Sequence, residues 1–181
     1  VAESLPKDAV SVVDYSNDFN NVIFFVQGST TAGEYYIYAD GAFSMLAQAY
    51  PNVPNATVNQ IVEYTYKARD GLIIPTLVTL PNTTKKGKFP TIMMPHGGPE
   101  SYDTIHFDWL AQYFANRGFM VVHPQFRGSD GFGVEHTAKG YGEWGKKMQD
   151  DLTDAIQALA KEGVADPDNV CIVGASYGGY A

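Results

Sequence analysis

Apolar and polar positions alternate in short runs up to about residue 50, and beyond residue 60 they fall into longer blocks of two kinds. The early runs, "VSVVDY", "NVIFFVQG", "GEYYIYADG" and "AFSMLAQAY", are rich in Val, Ile, Phe and Tyr and are punctuated by Asn, Asp and Gly. Such runs predict a four-stranded antiparallel unit of about one propeller blade. No later stretch repeats it, so a propeller would need residues from outside this chain. "PNVPNATVNQ" carries two prolines and several Asn, the composition of a linker, and puts a boundary near Asn55.

After the boundary, "VEYTYKARDGLIIPTLVTLP" reads as two strands joined at the Asp70-Gly71 turn. Strands and helices then alternate. "FPTIMMP", "FMVVHP" and "NVCIVG" are continuous apolar strands. "HFDWLAQYFANRGF" has Phe107, Leu110, Phe114 and Phe119 near one face and stops at Gly118, and "WGKKMQDDLTDAIQALAKEG" has Met148, Leu152, Ala155, Ile156 and Leu159 at helical spacing and stops at Gly163. Strand, helix, strand, helix, strand with apolar strands predicts a parallel sheet covered on both faces, an α/β architecture.

Composition narrows the picture. The chain has 181 residues, 45% of them hydrophobic, enough for a core. A net charge of -8 without a basic cluster argues against nucleic acid or an anionic membrane as partner. No apolar run reaches the roughly 18 residues of a membrane span. The start at Val1 shows no leader pattern. The compartment, cytoplasmic, periplasmic or secreted, is not readable. The single cysteine, Cys171, lies in an apolar run and is expected to be a small buried hydrophobe.

Candidate chemistry concentrates at the last strand. Gly174, Ser176 and Gly178 form Gly-x-Ser-x-Gly straight after "VCIVG", the setting in which a serine nucleophile sits on a sharp strand-to-helix turn, with a helix beginning near Tyr177. A plain Gly/Ser turn is the competing account. "MMPHGGPES" ends an earlier strand, and its Gly-Gly pair can aim backbone N–H groups at a developing oxyanion. Gly98 N–H is one expected donor and Tyr177 N–H the other. "RGSDGFG" resembles a phosphate loop but lacks Gly-Lys-Ser/Thr, and with no helix expected immediately after it, it reads as a structural loop. His96, His106, His123 and His136 lack metal-ligand spacing and read as singly satisfied side chains, and all precede Ser176, whereas an α/β-hydrolase histidine follows its serine. Asp150, Asp151 and Asp154 read as a solvated or capping helix face. Asn55 ("NAT") and Asn82 ("NTT") are sequons that matter only in a secretory setting. Neither a cofactor nor a metal is called for.

With those residues placed, the chain resembles the prolyl oligopeptidase family of serine peptidases, most closely its acylaminoacyl peptidase and dipeptidyl peptidase-like branch. The resemblance rests on "ARDGLIIPTLVTLP", "PHGGPES", "FRGSDGFG", "WGKKMQDDLTDAIQAL" and "VGASYGGYA", in the family's order, and covers roughly residues 60–181. It implies closing strands of a β-propeller over 1–54 and an α/β-hydrolase peptidase domain over 55–181. It also implies Ser176 as nucleophile acting on short peptides, and backbone oxyanion donors at Gly98 and Tyr177. His96 stands where the prolyl oligopeptidases proper carry a tyrosine that serves the oxyanion, so His96 either donates to it or braces the loop.

The family's Asp and His would lie beyond Ala181, on the rest of the same protein; a homo-oligomer is also open. A serine without its base loses most nucleophilic catalysis, so the 181 residues alone are expected to be inactive, with an apolar sheet edge at the nucleophile strand. An esterase or lipase on the same fold, and a noncatalytic binding protein, are the alternatives.

Overall fold

The computed structural model describes residues 8–84 and 87–181. The expectation that the N-terminus lacks a leader falls on residues 1–7, outside the described residues. The chain divides into two compact units, 1–61 with 105–112, and 62–104 with 113–181.

In the first unit, β1 (Asp8–Tyr15), β2 (Val22–Gly28), β3 (Glu34–Ala39) and β4 (Ala42–Gln48) form an antiparallel sheet in chain order. The β3–β4 hairpin closes on two residues, Asp40 at φ 50° and Gly41 at φ 78°. Both positive angles are what a two-residue type I′ turn requires, and Asp-Gly supplies them at little cost. Register then places aromatics across the strands, with Phe25 and Tyr35 rings 4.7 Å apart and Tyr38 and Phe43 5.0 Å apart. A small core of Ala32, Val58 and Phe107 lies in this unit. Asn59 is buried there and is satisfied by Gln112, whose Oε1 accepts from the Asn59 N–H at 2.7 Å and whose Nε2 donates to the Asn59 carbonyl at 3.1 Å.

The second unit is a five-stranded sheet. Its strands β5 (Ile61–Lys67), β6 (Ile73–Thr79), β7 (Phe89–Met93), β8 (Met120–Pro124) and β9 (Ala165–Ile172) lie in the order β5-β6-β8-β7-β9. β8, β7 and β9 are parallel, as their apolar runs imply. The sheet as a whole is mixed, because the hairpin turning at Asp70-Gly71 extends it and β6 pairs antiparallel with β8. Every residue of β8 is buried.

The first helix, α1 (Trp109–Ala115), is capped by Asp108, whose Oδ1 accepts the N–H groups of Leu110 at 2.8 Å and Ala111 at 3.1 Å. A second, α2 (Val134–Ala138), starts directly after Gly133. That corrects the expectation that no helix follows "RGSDGFG": a Gly133 φ of 93° lets the chain turn into helix without a side-chain signal. The third, α3 (Lys147–Lys161), packs against β8 and β9. Its Met148, Leu152, Ala155 and Leu159 are buried as the periodicity predicts, and each full burial of a Leu or Met side chain is worth about 1.5–3 kcal/mol.

Two expectations are corrected here. Cys171 is exposed rather than buried, because β9 ends the strand order and is open along most of its length. Asp151 and Asp154 are buried rather than solvated, because Arg127 and Arg69 meet them as partners. Asp150 remains half-exposed, paired with Arg69 at 2.8 Å.

Candidate active site

Beyond β9 the chain reaches Ser176 with φ 56° and ψ -124°, and then enters α4 (Tyr177–Tyr180). A side-chain-bearing residue at positive φ is strained, and it persists only where its surroundings over-determine it. Those surroundings are two glycines. A Cβ on Gly174 would fall on the backbone of Gly178, and a Cβ on Gly178 would fall on the carbonyl of Pro95. The spacing Gly-x-Ser-x-Gly is therefore a steric requirement of the turn. It leaves Ser176 exposed, with its carbonyl accepting the N–H groups of Gly179 at 3.0 Å and Tyr180 at 3.1 Å.

The same close approach brings the "PHGGP" loop to the serine. A Cβ on Gly97 would stand 3.4 Å from the Ser176 Cβ and 3.8 Å from its Oγ. The next residue, Gly98, has φ 120° and is exposed, and a Cβ there would press on the Glu100 nitrogen at 2.7 Å. Glycine is thus required at Gly98 by conformation and by space.

Tyr177 is fixed by its side chain. It is buried, its hydroxyl reaches the Met148 sulfur at 3.5 Å, and its ring packs 5.4 Å from Phe126 and 4.9 Å edge-on from Trp144. Burial pushes its hydroxyl up to about 12, so it stays a neutral phenol. Its backbone N–H is at the start of α4, directly after Ser176.

His96 lies flat on Phe126, centroids 4.4 Å apart at 20°, with Nδ1 2.7 Å from the Gly97 carbonyl and Nε2 2.8 Å from the Ser129 hydroxyl. Burial holds the imidazole below its ordinary value, against the opposing pull of the Gly97 carbonyl and of Asp103. The ring is therefore neutral near pH 7. Among the other histidines, His123 Nδ1 lies 3.5 Å from Asp103, and His136 Nε2 donates to the Gln125 and Phe126 carbonyls at 2.9 and 3.1 Å. Among the described residues no histidine is hydrogen-bonded to Ser176, and no group of three or more His, Cys, Asp or Glu could hold a metal.

The structure thus brings Ser176, Gly98, Tyr177 and His96 into one neighbourhood. It adds Phe126 and Ser129 from "FRGSDGFG", a stretch to which the sequence assigns no chemistry even though it carries part of the family resemblance. The loop is itself anchored. Arg127 is buried and donates to Asp151 through its backbone N–H at 2.9 Å, Nε at 2.9 Å and Nη2 at 2.7 Å, and to Asp70 through Nη1 at 2.8 Å. This pairing holds the Asp70 carboxyl well below the usual carboxylate range.

Strand, positive-φ serine and helix in this order make the elbow of an α/β-hydrolase. Residues 105–181 match the prolyl oligopeptidase family. The chain is 38% identical over 156 residues to dipeptidyl aminopeptidase BIII of Pseudoxanthomonas mexicana, covering 81% of this chain and 23% of that protein. Its fold superposes on a puromycin hydrolase with a TM-score of 0.78 at 26% identity, covering 95% of this chain and 27% of the other. An acylaminoacyl peptidase in complex with Z-Gly-Gly-Phe-chloromethyl ketone gives a TM-score of 0.75 at 24% identity, covering 96% and 28%. The chain belongs to the prolyl oligopeptidase family, with antiparallel strands of a propeller blade followed by the first part of an α/β-hydrolase domain. It spans about a quarter of the length of the curated relatives it matches, 23% and 27% for two of them. No described helix is long and apolar enough to cross a membrane.

Proposed function

We propose that this chain carries the nucleophile and oxyanion site of a serine peptidase acting on short peptides. The observation that carries the reading is the Ser176 backbone at φ 56°, clasped by two glycines that can bear no side chain and faced by the Gly97-Gly98 loop. In this reading Ser176 Oγ attacks the scissile carbonyl carbon, and the carbonyl oxygen takes the negative charge. The N–H groups of Gly98 and Tyr177 meet that charge. A base takes the Ser176 hydroxyl proton as Oγ attacks, collapse of the adduct breaks the C–N bond as the base returns that proton to the leaving amine, and water then hydrolyses the acyl-enzyme on Ser176. His96, neutral and bound to the Gly97 carbonyl, braces the loop rather than acting as base. The base and its carboxylate are residues outside these 181, supplied by the remainder of a longer protein, so the 181-residue polypeptide alone is expected to show no turnover.

A fluorophosphonate applied to the full-length protein is expected to give one adduct, on Ser176. Ser176→Ala should lose the adduct and lower kcat on the order of a millionfold. Adduct formation elsewhere, with Ser176 unmodified, overturns the reading. Rates on matched peptide and ester substrates then separate a peptidase from an esterase, because the acyl-enzyme chemistry is common to both.

A further inference from the structure

The Gly97–Gly98 peptide bears the N–H assigned to the oxyanion, yet two adjacent glycines leave that peptide plane nearly free to rotate. Something must hold it. A trans peptide is planar, with its C=O and N–H pointing in opposite directions, so whatever holds the Gly97 carbonyl also aims the Gly98 N–H. The Gly97 carbonyl is held by His96 Nδ1 at 2.7 Å. A carbonyl only accepts, so Nδ1 carries the hydrogen. The ring is neutral, so Nε2 presents a lone pair, and the Ser129 hydroxyl 2.8 Å away must donate to it. Ser129 is wholly buried, its N–H donates to the Phe126 carbonyl at 3.0 Å, and its own carbonyl accepts from the Thr137 hydroxyl at 3.2 Å. Its backbone is therefore held on both sides, by the Phe126 carbonyl and by the Thr137 side chain. Phe126 supports the ring from beneath, and the charged or titratable groups that act on it are Asp103 and His123.

We propose that Ser129 is a positioning residue. Its hydroxyl anchors His96 as the Nδ1–H tautomer, His96 holds the Gly97 carbonyl, and the Gly98 N–H is thereby aimed at the oxyanion. Removing the hydroxyl leaves the part-buried His96 Nε2 without its donor, and the ring, the carbonyl and the peptide plane lose their common reference. The effect belongs to the transition state, because only there does the oxyanion carry full charge. The proposal rests on the assignment of Gly98 as oxyanion donor.

The test uses the full-length protein. Ser129→Ala is expected to lower kcat by about 10- to 100-fold with KM within about twofold, and to weaken a peptide-aldehyde inhibitor by a similar factor. On a His96→Ala background the same change should have no further effect, because both act through one carbonyl. Additive losses, or a rise in KM alone, overturn the proposal. If Ser129→Ala does not fold, Ser129→Cys, of similar size and with a weaker donor, should give a smaller loss of the same kind. Nitrogen-15 shifts of labelled histidine in the unmutated protein should show His96 as Nδ1–H, and an Nε2–H tautomer overturns the proposal without any variant. Failure of the Gly98 assignment reads differently: kcat falls in Ser129→Ala while aldehyde affinity stays unchanged. Failure of the serine reading appears earlier, as absence of the fluorophosphonate adduct.

Discussion

Ser176 holds its unusual backbone because two neighbours have no side chain. At Gly178 a methyl group would meet the Pro95 carbonyl, and backbone cannot swing aside as a long side chain can. Gly178→Ala should therefore open the elbow from the "PHGGP" loop. The expected cost is about 1–3 kcal/mol of stability, the range for forcing an extra methyl into a packed site, with loss of fluorophosphonate labelling out of proportion to that cost. Urea unfolding and labelling rates on the same preparation check it, and an Ala variant that labels at the unmutated rate contradicts the steric account. This part of the site was legible because sterics forces a sequence spacing. Ser129 was not legible, because a single hydroxyl that donates to a ring 33 residues away leaves no local pattern.

At the scale of elements, α3 shows how periodicity succeeds and then misleads. Its apolar positions faced the core as expected, but Asp151 and Asp154 shared that burial, since an acidic residue in a helix reads as solvated unless its partner is known. The partners come from other elements, Arg127 from the loop after β8 and Arg69 beside the β5–β6 turn. Asp151→Ala leaves the Arg127 guanidinium buried with one partner fewer, and a loss of about 3–5 kcal/mol is expected, measured by urea unfolding.

Asp70 offers a pH test of the same network. Its folded carboxyl is depressed by Arg127, so its contribution is present above the unfolded value of about 3.9 and fades as pH falls below it. The stability gap between the unmutated protein and Asp70→Asn should thus be full at pH 7 and shrink progressively below about pH 4. A gap that widens on acidification contradicts the sign of the shift.

At the scale of the whole chain, the strand order fixes what a longer protein must do. β9 pairs with β7 alone among the described residues, and Val170, Cys171 and Ile172 all lie open on it, Ile172 at 51%. An open apolar edge offers unpaired backbone groups to any other strand. The run "NVCIV" reads as a buried strand because its apolar residues are those of one, and what the sequence could not report is that, among the described residues, no strand pairs with its outer edge. In relatives of about four times this length, such an edge has chain available to cover it. Two outcomes follow from the same geometry. The 181-residue polypeptide made alone should self-associate, and Val170→Lys should reduce that association, because a charge on an edge strand opposes pairing. Cys171 should react with iodoacetamide in that polypeptide and at least about tenfold more slowly in the full-length protein, since covering the edge shields the thiol. Equal alkylation in both would mean that β9 stays an edge in the longer protein, and the sheet would then need its remaining strands placed elsewhere.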